Sequence, residues 1–121
     1  MSVDPAAFAD ELYVSRDQLR TMVACGMYVG SHGASHRWLD RITPDQQVSE
    51  IDDSLDFLRS VGTPAHSWVM CYPYGGVDQS LLGLLRQRNC GVALTTRPAT
   101  ASLDADDPLL LPRVDTNDLP T

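Results

Sequence analysis

Two of the three histidines in this sequence lie four residues apart, directly after a short apolar run. These residues, His32 and His36, carry imidazole rings, which in their neutral form are good ligands for zinc and similar metals. Residues four apart share one side of a helical turn, and Gly30 and Gly33 let the backbone turn sharply beside them. The spacing predicts a metal-binding pair, although an exposed helical turn or a hydrogen-bonded core pair would show the same pattern.

The chain has the composition of one folded domain. Its 121 residues are 43% hydrophobic and 21% charged, which is enough for one core and too little for two. The net charge is −7, and all nine cationic side chains are arginines. No basic stripe is present in the sequence, so nucleic acid and anionic membrane surfaces are not expected as partners.

The three cysteines, Cys25, Cys71 and Cys90, are odd in number and widely spaced. Each lies in or beside an apolar segment, so we expect buried thiols and neither a disulfide framework nor a zinc ribbon. Residues 1–10 carry acids and lack the apolar run of a signal peptide, and no segment reaches membrane-spanning length. For the chain as given, these features predict a cytoplasmic location.

Three segments carry the start and stop signals of helices. Ser15 and Thr43 each stand three residues before a glutamine, which is the pattern of a capping box. The first helix is predicted to end at Gly26 and the second at Gly62. A third helix is predicted after Asp78, and it carries a set of leucines: Leu81, Leu82, Leu84 and Leu85.

The second of these helices is predicted to be amphipathic. Its apolar stripe consists of Val48, Ile51, Leu55 and Leu58. Its carboxylates are predicted to face water, and they are Glu50, Asp52, Asp53 and Asp56. We interpret this acidic side as a solvated helix face and not as a catalytic group.

Four apolar segments have the pattern of strands that alternate with or follow the helices: 27–31, 67–72, 92–96 and 109–114. The segment 67–72 is nearly continuous in apolar residues, which is typical of a parallel strand buried on both faces. Pro112 favours an edge position for the last strand, because proline cannot donate a hydrogen bond to a neighbour.

The order of these elements predicts an α/β fold with a parallel sheet. Residues 1–14 are predicted to be a lead-in, and residues 15–121 the domain. Functional residues of such folds gather where strands end. The His32–His36 pair and the turn at residues 73–75 both follow strand ends, so we expect them to share one rim of the sheet.

With these segments in place, the chain resembles the polysaccharide deacetylase family, the carbohydrate esterases that share a NodB homology domain. The stretch 26–39, with its His32-x-x-x-His36 core, is similar to the family's second motif, in which both histidines bind the metal. The sequence Tyr72-Pro73-Tyr74-Gly75 is similar to the third motif, whose backbone lines the acetyl-binding groove. The segment 110–115 resembles the closing strand of one branch of the family.

The resemblance implies both a fold and a reaction. The fold would be a partial deformed (β/α) barrel with about four mostly parallel strands that alternate with three helices. The reaction would be hydrolysis of the N-acetyl groups, and so of C–N bonds, of a polysaccharide or glycan. A divalent metal ion, expected to be zinc, would be bound by His32 and His36, and the backbone amide of Tyr74 would stabilise the oxyanion. The substrate-binding residues that the resemblance implies are Tyr72, Pro73, Tyr74, Gly75, Trp38 and Arg113.

Parts of the family pattern are missing from this sequence. The first motif, a strand that ends in two aspartates serving as catalytic base and third metal ligand, is not found before Ser15. No histidine follows His66, although the family has a later general-acid histidine, and Cys71 stands near the position of a family arginine. Two imidazoles fall short of the three protein ligands usual for catalytic zinc. We therefore expect the C-terminal part of a deacetylase, or a protein that has lost its first strands.

Missing strands would leave a sheet edge exposed, and such an edge invites pairing with another chain. A homodimer through this edge is therefore expected. The alternative to a deacetylase is a catalytically inactive, truncated relative that dimerises and binds glycan or metal weakly. A further alternative is an unrelated α/β binding domain whose histidines are structural.

Overall fold

A computed structural model describes residues 4–119 of the chain, and it contains a parallel sheet covered by helices. Strand β1 is Trp68–Cys71 and strand β2 is Cys90–Leu94. On the outer side of β1, Ser31 forms a parallel bridge to Met70, and on the outer side of β2, Leu111 forms a parallel bridge to Leu94. Four extended segments therefore lie side by side and point in one direction.

Four α-helices and three short 3-10 turns connect these segments. Helix α1 is Pro5–Leu12, α2 is Arg16–Ala24, α3 is Pro44–Val61 and α4 is Gln79–Gln87. The 3-10 turns are Leu39–Arg41, Pro73–Gly75 and Thr116–Asp118. The predicted α/β class is confirmed, and the predicted lead-in contains the additional helix α1. No helix within residues 4–119 has the length and apolar character needed to cross a bilayer.

The predicted helix starts are confirmed by their capping contacts. The Ser15 hydroxyl accepts from the Gln18 amide and the Gln18 side chain accepts from the Ser15 amide, and Thr43 forms the same reciprocal pair at the start of α3. Helix α3 ends at Gly62, whose φ of +95° is a left-handed conformation that glycine adopts without steric cost. These local signals fix where the helices lie along the chain.

The core lies between the sheet and helices α3 and α4. The side chains of Trp68 and Met70 on β1 are fully buried, and they belong to one cluster with Ile51 of α3 and Leu85 of α4. The Trp68 indole donates to the Arg88 carbonyl at 2.8 Å, which satisfies its polar atom inside the core. The packing therefore fixes the direction of β1, whose end carries the candidate site.

Three sequence expectations about burial are wrong. Strand β1 is buried on one face only, since Val69 and Cys71 on its other face are partly exposed. Cys25 is exposed, because α2 packs against α3 without burying any of its own residues. On α3, Val48 is exposed while Glu50 is buried, with 7% of its surface accessible, because Glu50 turns toward the loop that carries the histidines.

Candidate metal centre

His32 lies on the extended segment beside β1 and is held by contacts to that strand. The Ser31 amide donates to the Val69 carbonyl and the Cys71 amide donates to the Ser31 carbonyl, both at 2.9 Å. The His32 Nδ1 atom lies 2.7 Å from the Cys71 carbonyl oxygen. Because a carbonyl only accepts, Nδ1 is the donor of this hydrogen bond, which leaves Nε2 as the nitrogen available to a metal. A metal-binding histidine is typically oriented by such a hydrogen bond from its other nitrogen.

His36 reaches the same place from the other end of a tight loop. Its backbone is left-handed, with φ of +56°, and its ring centre lies 4.7 Å from that of His32 at an interplanar angle of 63°. A zinc ion about 2 Å from one nitrogen of each ring would hold the two ring centres about 5 Å apart. The two imidazoles therefore fit two positions of one metal site.

A third protein ligand is not in place. Within residues 4–119, no group of three or more histidine, cysteine, aspartate or glutamate side chains is arranged to hold a metal ion. The geometry thus fits a divalent metal such as zinc at two coordination positions and leaves the others to water, substrate or another polypeptide.

The loop between the histidines is tied to helix α3 by Glu50. One carboxylate oxygen accepts from the Ala34 amide at 3.0 Å and the Ser35 amide at 2.9 Å, and the other forms a short hydrogen bond with the Ser35 hydroxyl. Burial raises the pKa of Glu50, but these hydrogen bonds and the charge of Arg37 outweigh it and hold the pKa below its usual value. Glu50 is therefore an ionised group inside the structure.

The predicted turn after β1 lies against His36. The Tyr74 ring centre is 4.8 Å from that of His36, at 73° between the ring planes. The other neighbour of Tyr74 is Trp38, stacked at 4.4 Å and nearly parallel, and Arg41 lies over the Trp38 ring at 4.3 Å. The structure therefore brings the two histidines, Tyr74 and Trp38 together at one rim, as the strand order predicts.

Within the described residues, the Tyr74 amide has no hydrogen-bond partner. The amides of Gly75 and Gly76 fold back onto the carbonyls of Tyr72 and Pro73, while Tyr74 itself has a left-handed φ of +57°. Tyr74 is half exposed, at 51% of its surface. Its N–H is consequently a free donor in the turn whose Tyr74 ring contacts His36, and a free backbone N–H is the type of group that an oxyanion hole uses.

The other predicted substrate-binding residues differ in what they can offer a ligand. The side chains of Tyr72 and Pro73 are buried, and the Tyr72 hydroxyl donates to the Leu109 carbonyl at 2.7 Å. Burial raises the pKa of that hydroxyl. These two side chains support the turn from within the core, so only their backbone is available to a ligand. Tyr74 and Arg41 both lie over the Trp38 ring, so part of that ring is already in contact with the protein.

Arg113 lies on the His32 side of the sheet. Its Nε atom donates to the Thr95 carbonyl at 3.0 Å and a terminal nitrogen lies 3.8 Å from the Cys71 sulfur. Arg113, Cys71 and His32 line one open cleft of about 360 Å³. A second cleft of about 510 Å³ lies on the other side of His32, where Asp53 is the carboxylate among its lining residues.

The residue that the sequence analysis missed is Glu50. Its signal was its register on α3, because Gln47, Glu50 and Ser54 are spaced by three and four residues along the same side as the apolar stripe. All three are buried, and Ser54 bonds the Ser31 hydroxyl at 2.8 Å. Polar residues that recur on the same side of a helix as its apolar stripe are expected to be buried, and buried polar groups form hydrogen bonds with a neighbouring segment.

The fold and the paired imidazoles define a parallel α/β protein with a candidate metal centre at one sheet rim. The profile of the family described as polysaccharide deacetylase matches residues 6–93. The chain belongs to the polysaccharide deacetylase family. The resemblance that the two motifs indicate is therefore confirmed.

Three relatives show how the chain compares with known proteins. The Bacillus subtilis (strain 168) protein YxkH, itself assigned as a polysaccharide deacetylase by inference, is 27% identical over 92 residues, which are 76% of this chain and 33% of that protein. The Streptococcus pyogenes deacetylase PplD, solved in complex with acetate, superposes with a TM-score of 0.77 at 26% identity, over 88% of this chain and 48% of that one. The polysaccharide deacetylase BC0361 from Bacillus cereus gives a TM-score of 0.69 at 27% identity, over 84% and 32%.

The chain thus spans about half the length of PplD and about a third of YxkH and BC0361. The fold is similar to part of the barrel-like deacetylase fold, as the sequence predicts. The second and third motifs of the family, as they stand in this sequence, both lie on the shared rim.

Proposed function

We propose that this chain is the part of a metal-dependent deacetylase that carries two of its metal ligands, and that the reaction is removal of N-acetyl groups from a polysaccharide or glycan. The observation that carries the proposal is the 4.7 Å separation of the His32 and His36 rings, with the Tyr74 ring 4.8 Å from that of His36 in a turn whose Tyr74 amide is free. This arrangement combines a place for a cation with a donor for developing negative charge. Zinc is the proposed ion, because both donors are imidazole nitrogens.

Each residue of the site has a distinct part in this proposal. A divalent ion on the two imidazoles would polarise the acetyl carbonyl and lower the pKa of a bound water. The Cys71 carbonyl keeps the proton of His32 on Nδ1 and so directs Nε2 to the site. The Tyr74 amide donates to the oxygen of the acetyl group as it gains charge. The Tyr74–Trp38 stack keeps the turn in position and forms one wall of the acetyl site.

Two further observations support this proposal. The S. pyogenes deacetylase, which was solved in complex with acetate, is 26% identical in sequence to this chain across the region it shares. Arg113 lies in the same cleft as His32, where its guanidinium would donate hydrogen bonds to sugar hydroxyl groups. The proposed third metal ligand comes from a polypeptide segment other than residues 4–119, since no third such side chain completes a metal-binding group there.

Zinc titration calorimetry tests the metal centre in this chain. Wild type is expected to bind one zinc ion, and His32→Ala is expected to weaken that binding at least tenfold. His66→Ala is the matched control, because His66 is the third histidine and lies exposed on a loop outside the site. Equal zinc affinity in wild type and His32→Ala would remove the basis of the proposal.

Acetate release tests the reaction. A chain extended to the length of its relatives is expected to release acetate from an N-acetylated chito-oligosaccharide when zinc is added and to lose this activity with a chelator. His36→Ala in the same extended chain is expected to be inactive. Absence of acetate release from the extended, zinc-loaded protein would contradict the deacetylase assignment.

A second candidate function is a non-catalytic, dimerising protein that binds glycan or metal weakly. It is favoured by the backbone groups of Gly30 and His32, which have no hydrogen-bond partner among the described residues and form an open sheet edge. Sedimentation velocity distinguishes the candidates: a concentration-dependent dimer without acetate release supports the second, while a monomer at all concentrations contradicts it.

A further inference from the structure

We propose that Glu50 is a positioning residue for the metal centre, because its carboxylate holds the loop 33–36 in the conformation that brings His36 to His32. This inference rests on the proposed metal-binding function of the two histidines. It concerns how the ligands are held and not which residues are ligands. Glu50 touches neither imidazole, so it acts through the loop backbone.

The contacts of Glu50 are directed at the loop. Both oxygens of the carboxylate are used, one by two consecutive amides at 3.0 and 2.9 Å and the other by the Ser35 hydroxyl. Consecutive amides that point to one anion form a concave site for negative charge, which is usually filled by a ligand. Here a side chain of the same protein fills it. Charged acceptors make stronger hydrogen bonds than neutral ones, so this anchor is a firm one.

The loop needs such an anchor because its backbone is unfavourable. Gly33 has φ of +76° and His36 has φ of +56°. A residue with a side chain rarely adopts this left-handed conformation, and it persists only where the surrounding structure enforces it. The residues between these two positions are Ala34 and Ser35, whose amides are the ones that Glu50 binds. Gly33 adopts this conformation without steric cost, so the strained position is His36, and the anchor binds the two residues directly before it.

The two histidines are consequently fixed by two different elements. His32 is oriented by the Cys71 carbonyl at the end of β1. His36 is placed by Glu50, which belongs to the buried side of α3 and is 7% exposed. Carboxylates are seldom buried without a partner, and the partners of this one are the loop amides rather than a cation. The separation of the two rings thus depends on how α3 packs on the sheet.

Two variants separate the effect of the Glu50 charge from the effect of its hydrogen-bond acceptors. Glu50→Ala removes every acceptor, whereas Glu50→Gln keeps one oxygen for the two amides and removes the charge. Asp56→Asn is the matched control, because Asp56 is an exposed carboxylate on the same helix, paired with Arg59. The measurements are zinc affinity by calorimetry and the hydrogen exchange of the Ala34 and Ser35 amides by NMR in the metal-free protein.

We expect Glu50→Ala to weaken zinc binding by about 10- to 100-fold, the range found when a group that orients a metal ligand is removed. Glu50→Gln should lie between Glu50→Ala and wild type, and Asp56→Asn should equal wild type. Hydrogen exchange at the loop amides of Ala34 and Ser35 should accelerate about tenfold or more in Glu50→Ala, while exchange at the amides of α3 stays unchanged. A general loss of helix packing would instead accelerate exchange along all of α3.

The outcomes distinguish this inference from the proposed function. If His32→Ala weakens zinc binding and Glu50→Ala does not, the positioning role is wrong and the metal centre stands. If zinc does not bind the histidines at all, the metal function is wrong, and the exchange rates of Ala34 and Ser35 alone decide whether Glu50 holds the loop. If Glu50→Ala does not fold, Glu50→Gln is judged by the same two measurements, and wild-type values in both would overturn the inference.

Discussion

Replacing Gly75 by alanine tests whether the turn after β1 has the backbone geometry on which the candidate site depends. Gly75 has φ of +74°, and a Cβ built on it would lie 2.2 Å from the Thr96 hydroxyl oxygen and 3.2 Å from Thr96 Cβ and Cγ2. Rotation of the Thr96 side chain can move the hydroxyl away, but Thr96 Cβ stays 3.2 Å from the new methyl group, so the two chain segments must still shift apart.

The expected loss of stability follows from three contributions. A left-handed backbone at a residue with a side chain costs about 1–2 kcal/mol. An extra methyl group in a filled space costs about 1–3 kcal/mol. Alanine also restricts the unfolded chain, which offsets about 0.4–1 kcal/mol of this loss. Gly75→Ala should therefore lower the free energy of unfolding by about 2–4 kcal/mol.

Urea unfolding monitored by tryptophan fluorescence measures this loss, and Thr96→Ala supplies the control. Thr96 is exposed, so Thr96→Ala alone should change the free energy of unfolding by less than about 0.5 kcal/mol. The double variant Gly75→Ala/Thr96→Ala should regain the stability that contacts with the Thr96 hydroxyl and methyl groups remove, and it should not regain the stability that the left-handed backbone of Ala at position 75 removes. A Gly75→Ala protein as stable as wild type, or complete recovery in the double variant, would refute the reasoning.

Two further predictions concern stability. Leu55→Ala should lower the free energy of unfolding by about 2–5 kcal/mol in urea, because Leu55 is 2% exposed in the core and its removal leaves a cavity; a loss below 1 kcal/mol would contradict the packing of α3. The pKa of Glu50 is lower in the folded than in the unfolded chain, so its ionised carboxylate stabilises the fold. This stabilisation is complete above about pH 5 and is lost as the pH falls through the folded pKa. The metal-free wild type should lose stability below about pH 4.3, and Glu50→Gln should lose less over the same range, in urea titrations at each pH.

The helices were predictable from the sequence because their signals are local. A capping box at Ser15 or Thr43 involves residues three apart, and the apolar stripe of α3 repeats within one element. The strand order followed from the alternation of patterns. Two of the predicted strands are shorter than predicted. The segment 27–31 forms a single bridge at Ser31, and the segment 109–114 forms a single bridge at Leu111. A strand needs a partner on the sheet, and sequence patterns do not report partners.

In the candidate site, too, the features with local sequence signals were predictable and those that depend on distant contacts were not. His32, His36 and the Tyr74 turn were predicted because their motifs are contiguous in sequence and strand ends in a parallel sheet share a rim. The prediction that Glu50 faces solvent is wrong because its role depends on contacts fifteen and sixteen residues distant in the chain, to the Ser35 and Ala34 amides. Helical periodicity identified its helix correctly but could not reveal a polar partner across the core.

The open sheet edge lies beside the candidate metal centre, which has no third ligand among the described residues. The backbone N–H and C=O groups of Ser31 form hydrogen bonds with β1. Backbone groups alternate in direction along a strand, so those of Gly30 and His32 point away from β1, where the described residues offer no partner. A strand paired there would lie about 4.8 Å from the His32 backbone, close enough for one of its side chains to reach an ion on the histidines. Whatever polypeptide covers this edge is therefore also placed to supply the missing ligand. A metal centre that gains its third ligand without the edge being covered would contradict this coupling.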